Sequence, residues 1–221
     1  MTTLNKMKAR CAVCRSENDY TCIVSTNAFG SPDLDTRPPK MQRSTIFAWV
    51  QRCPECGYCA SDVSNAPFQT ATLVRTPEYT RQLSDSICPE LANAFLCKAL
   101  INESSGDYAE AAWALIHAAW ACDDADKPEP ARTCRSKAVD MIEKALGKGQ
   151  EVAEQDGGET AIQVDLLRRA GRLTEARQLI STKRSTITED IISKILDFQD
   201  VLLTKGDEEC HTIAEAFGKN E

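Results

Sequence analysis

Two C-x-x-C pairs, Cys11-Ala-Val-Cys14 and Cys53-Pro-Glu-Cys56, constrain this chain more than any other feature. A turn of two residues between cysteines points both sulfurs the same way, so each pair supplies two ligands. Two pairs give the four soft ligands that tetrahedral zinc prefers, with Zn–S near ~2.3 Å. Thiolates beside the cation stay deprotonated, which makes metal binding part of folding. Gly57, directly after the second pair, fits a turn that needs positive φ. The reading is one zinc ion held by Cys11, Cys14, Cys53 and Cys56. A closed four-thiolate set leaves no position for a substrate water, so such a site is structural.

The 38 residues between the pairs exceed the usual spacing. Tyr20–Ser25 and Thr45–Gln51, rich in β-branched and aromatic residues, read as strands. Between them runs NAFGSPDLDTRPPK, where Pro38 and Pro39 exclude a central strand. A hairpin would account for the insert by returning the chain to where it left. Asp33, Asp35 and Arg37 could pair with one another or dock the loop on a helix. The simpler reading is a rigid, solvated loop, and the functional one a recognition surface.

Eleven cysteines, an odd number, argue against a disulfide framework. Cys59 extends the second pair and could displace a ligand, whereas Cys22 reads as core. Cys88, Cys97, Cys122, Cys134 and Cys210 read as buried thiols on helices. A thioredoxin-like redox role would need a strand before a C-x-x-C and a helix after it, and neither pair has that setting.

From Thr76-Pro77-Glu78, a helix start, the pattern becomes helical. Ala109, Ala112, Trp113, Ile116, Ala119 and Trp120 share one face, as do Ile191, Ile195, Phe198 and Leu202. Thr186 and Glu189 have capping-box spacing, and Pro128 and Pro130 open a helix that GKG ends near Leu146. Residues 96–116 and 164–180 share a pattern of helix, Gly turn (Gly106, Gly171) and Glu-Ala, with a weaker copy around Gly206. The helix at about 130–146 would fill the missing unit of a period near ~34 residues, which resembles the tetratricopeptide repeat. The fold class is α+β, mostly α. A zinc ribbon of short antiparallel strands spans 1–75, and tetratricopeptide-like antiparallel helix pairs span 76–221.

No phosphate loop, HExxH, GxSxG or GxGxxG is present. His117 and His211 read as partly buried helix residues, and Asp123, Asp124 and Asp126 as solvated caps. Apolar runs are too short for a bilayer, and no secretory signal opens the chain, so a cytoplasmic protein is expected. Residues 1–80 carry +2 and the remainder −9, which disfavours a nucleic-acid partner despite Lys6, Lys8, Arg10, Arg15, Arg37, Lys40, Arg43 and Arg52.

The order CAVC, DLDTRPP, WVQRCPECGYCA and then paired helices resembles a bacterial family, the domain-of-unknown-function family 2225. The resemblance covers about the first 65 residues, with the helices matching loosely. It implies zinc at Cys11, Cys14, Cys53 and Cys56 and brings no activity with it. The expectation is a non-enzymatic scaffold whose helices bind a protein or peptide. The alternatives are a nucleic-acid-binding ribbon and a thiol or redox protein using a C-x-x-C pair.

Overall fold

The computed structural model describes residues 1–219. Strand β1 (Thr3–Arg10) pairs antiparallel with β2 (Glu17–Ser25), and Arg10 faces Glu17 at the closed end. The first cysteine pair forms the turn of this hairpin. A second, two-residue hairpin, β3 (Gln51–Arg52) with β4 (Cys59–Ala60), holds the second pair in the same way. β2 contains the expected strand at Tyr20–Ser25.

The other expected strand is not one. Residues Arg43–Ala48 form a 3-10 helix, and only Gln51 of the segment Thr45–Gln51 lies in a strand. Thr45 fixes this turn, donating its hydroxyl to the Gln42 carbonyl and accepting the Trp49 indole N–H at 2.9 Å. The β-branched and aromatic residues there signalled burial of Thr45 and Ile46 rather than a sheet. The insert between the cysteine pairs is therefore no hairpin returning on itself; it leaves the ribbon and docks on the helices.

After α1 (Thr70–Leu73), helix α2 (Pro77–Leu83) starts on Thr76, whose hydroxyl accepts the Tyr79 N–H. Then come α3 (Glu90–Ser104), α4 (Tyr108–Asp124), α5 (Pro128–Gly147), α6 (Gly158–Arg169), α7 (Leu173–Lys183), α8 (Asp190–Lys205) and α9 (Ile213–Ala216). Neighbours in sequence pack on one another. Helix α4 is buried nearly all round, with alanines at 111, 112, 114, 118, 119 and 121 that let α3 and α5 approach closely.

Among the described residues, six helices end in the same way, with a left-handed residue followed by an N–H bonded five residues back. The left-handed residues are Gly106, Asp126, Gly149, Gly171, Gly206 and Gly218. Asp126 hides one of these turns from a search for glycine. The α3–α4 and α6–α7 pairs match the expected helix–Gly–helix units. The interval between them holds one helix, α5, rather than a pair, and α9 is a single turn.

Three helical details differ from the sequence reading. The buried stripe of α8 is Ile192, Ile195, Leu196, Gln199, Leu202 and Leu203, one step round from that expected, and Ile191 is 49% exposed. The N-cap there is Glu189 without a side-chain bond, and Thr186 belongs to a 3-10 turn. The capping box falls instead at Thr212 and Glu215. Among the described residues, no helix is long and apolar enough to cross a membrane.

Candidate metal centre

The four sulfurs of Cys11, Cys14, Cys53 and Cys56 lie within 4.8 Å of one another, a group that could hold a metal ion. Cys11 Sγ is 3.7 Å from Cys56 Sγ, and Cys14 Sγ is 3.5 Å from Cys53 Sγ, so the closest contacts run between the two pairs. Tetrahedral M–S bonds of about 2.3 Å would place sulfurs roughly 3.8 Å apart. The donor set and its spacing therefore fit a tetrahedral thiophilic ion.

The two turns share one hydrogen-bond pattern. Arg15 N–H donates to Cys11 O and Gly57 N–H to Cys53 O, both at 2.9 Å. Cys11 N–H donates to Ser16 O and Cys53 N–H to Tyr58 O. Both turns need a left-handed residue after the second cysteine, Arg15 at φ 67° and Gly57 at φ 73°. At Gly57 a Cβ would also collide with Leu83 of α2. The same helix clamps this turn, because the buried Tyr79 hydroxyl donates to Gly57 O at 3.0 Å and accepts from Cys59 N–H at 3.1 Å.

Charge at the sulfurs is set locally. Burial raises the thiol pKa of Cys11 and Cys56. A hydrogen bond from the Ser16 hydroxyl lowers that of Cys14. At Cys53 burial opposes ionisation, yet the Ser16 hydroxyl and the N–H groups of Cys56 and Glu55 bring the pKa to about 6. Ser16, which reaches Cys14 at 3.0 Å and Cys53 at 3.4 Å, was missed from sequence. Laying the two cysteine pairs one over the other would have flagged positions 15 and 16 against 57 and 58.

Cys59 points elsewhere: it is fully buried, donates to Gly57 O and stands outside the four-sulfur group. Cys22 is half-buried on β2 rather than in the core. Cys97, Cys122 and Cys134 are buried as expected, but Cys88 is half-buried in a bend and Cys210 exposed in a loop.

The aspartate readings change most. Asp33, Asp35 and Arg37 are buried, not solvated. Asp35 accepts the Trp120 indole N–H at 2.7 Å and Arg169 Nη1 at 3.0 Å. Arg37 makes two bonds to Asp124, at 2.6 and 2.7 Å, and Asp33 pairs with Arg43. Asp123 is no solvated cap, since it bridges Arg135 and Arg169. Asp126 does stay exposed, in its left-handed turn. The loop is thus stitched to α4 and α6, and its backbone also meets the C-terminal segment, where Ile213 N–H donates to Pro32 O.

His211 lies in the loop before α9 rather than on a helix, held between Glu215 at 2.6 Å and Asp207 at 3.1 Å. His117, half-buried on α4, is packed among aromatic rings. No protein-family model, curated protein or solved structure matches this chain.

Proposed function

We propose that this chain is a non-enzymatic interaction protein, stabilised by one zinc ion, that binds a peptide or protein on its helical part. Zinc is the ion of choice because four thiolates form a soft tetrahedral set in which no open position remains for chemistry. Cys11, Cys14, Cys53 and Cys56 would hold it and Ser16 would orient the sulfurs, so that two small hairpins fold around one cation. The metal's contribution is to fold stability.

The observation that carries the binding role is a groove across α3, α4 and α5. Leu96, Leu100, Leu115 and Met141 line it, with Glu78, Glu103, Lys137 and Lys144 among them. Stacked helices use such grooves for extended ligands. Crosslinking in a cell extract, followed by purification of the folded chain, tests the role. A recurrent partner lost on charge reversal at Lys137 and Lys144 supports it; a monodisperse, folded protein that captures nothing contradicts it. A cytoplasmic setting, a division near residue 76 and kinship with family 2225 belong to the same proposal.

The nucleic-acid alternative has less behind it. Lys8 and Arg10 stand opposite Asp19 and Glu17 across the hairpin, and Arg37, Arg43 and Arg52 are paired with Asp124, Asp33 and Glu90. Three of the eight cations in residues 1–52 are thus paired and two more face acids, which weakens their pull on a phosphate backbone.

A further inference from the structure

All three tryptophans of the chain, Trp49, Trp113 and Trp120, line one open cavity of about 480 Å³ between α4 and the loop that carries Pro38. His117 stands among them, with ring centroids 5.2 Å from Trp49, 6.0 Å from Trp113 and 4.9 Å from Trp120. The indole N–H groups are all used inside the protein, by Thr45, Val152 and Asp35 respectively. What the half-buried Trp49 and Trp113 offer a ligand is ring surface, while Trp120 forms the buried floor. Among the described residues no group bonds either nitrogen of His117, which is half-buried in the cavity wall. The Gln42 side chain also lines the cavity.

These features select the ligand. The free polar groups are neutral ones: burial and the nearby Lys98 push the His117 pKa down to about 3, so its imidazole is uncharged at neutral pH. The Arg37 guanidinium, held by Asp124, lies 5.9 Å from the Trp120 ring centroid and already fills the cation position on that ring. A quaternary ammonium, the usual guest of an aromatic cage, is therefore disfavoured. Tryptophan faces accept almost nothing, so an ordinary peptide would bury unpaired N–H groups against them. Proline has no N–H, and its extended form is ordered before binding.

We propose that this cavity binds a proline-rich peptide, with proline rings on Trp49 and Trp113 and peptide carbonyls accepting from His117 and Gln42. The inference rests on the reading of the chain as a peptide-binding protein and adds to the α3–α5 groove a second site with its own ligand class.

Intrinsic tryptophan fluorescence tests it, because every tryptophan reports on the cavity. The metal-loaded chain is titrated with a decaproline peptide, a Gly-Ser peptide of equal length and tetramethylammonium chloride. The expected result is a saturable change with decaproline alone. His117→Leu and Gln42→Ala, each checked for unchanged circular dichroism and metal content, should weaken it about three- to tenfold, the loss of one hydrogen bond. No saturable change with decaproline, an equal response to Gly-Ser, a response to tetramethylammonium, or unchanged affinity in both variants overturns the proposal. No decaproline response while a partner is still captured at the α3–α5 groove overturns this site alone; capture of nothing by the native chain overturns the wider reading.

Discussion

Asp35→Ala gives the sharpest test of the docked loop. Asp35 is fully buried and accepts three hydrogen bonds, from the Trp120 indole, from Arg169 and from the Arg37 backbone N–H. Removing one partner of a buried ion pair costs about 3–5 kcal/mol. Arg169 retains Asp123 at 2.9 Å, which places its share at the low end. An orphaned indole N–H adds about 1 kcal/mol or more. The sum is about 4 kcal/mol, roughly 8–16 °C in Tm for a chain of this size. Urea unfolding followed by circular dichroism, with exposed Glu151→Ala as a control within about 0.5 kcal/mol, measures it. Asp35→Leu with Arg169→Met should lose less than Asp35→Ala, because no unpaired charge remains and Asp123 keeps Arg135. A loss below about 1 kcal/mol for Asp35→Ala would return the loop to solvent and refute the argument.

Cys11→Ser or Cys53→Ser should destabilise the N-terminal hairpins far more than Cys97→Ser, as read by hydrogen exchange over residues 1–65; equal effects contradict the ligand assignment. Gly57→Ala should cost about 2 kcal/mol or more in thermal unfolding, since φ is positive and Leu83 blocks the Cβ, and Leu83→Ala should recover part of it. His117 makes stability fall with acid. Its folded pKa of about 3 lies below the unfolded value of 6.5, so its contribution is complete above 6.5 and is lost as pH falls. The slope is about 1.4 kcal/mol per pH unit. Urea midpoints for His117→Leu should fall less steeply between about pH 6.5 and 4 than those of the native chain, and an identical slope counts against neutral burial.

The cysteine turns were legible because C-x-x-C dictates its own local geometry. The helices were legible because their periodicity is strong and their turns carry glycine, except where Asp126 takes the left-handed position. Docking of the Asp33–Pro39 loop on a helix was legible only as an alternative to a solvated loop, because polarity in sequence suggests solvent and the side-chain partners of Asp35 lie 85 and 134 residues away. Only the fold shows that its charges are paired, which is the condition for burying them. The Thr45–Gln51 segment failed for a related reason: its residues suit any buried surface, and β4 pairs with it only at Gln51. The stripe of α8 slipped by one residue because isoleucines at 191 and 192 both fit a helical pattern, and tertiary packing chose Ile192.

The central claim is the closed zinc site. Elemental analysis of the natively purified chain, combined with counting of reactive thiols before and after denaturation in chelator, tests it directly. The account predicts one zinc per chain, with Cys11, Cys14, Cys53 and Cys56 unreactive until the metal is stripped and the ribbon unfolds. A metal-free, folded protein whose knuckle thiols oxidise readily to disulfides would contradict it and favour the redox alternative.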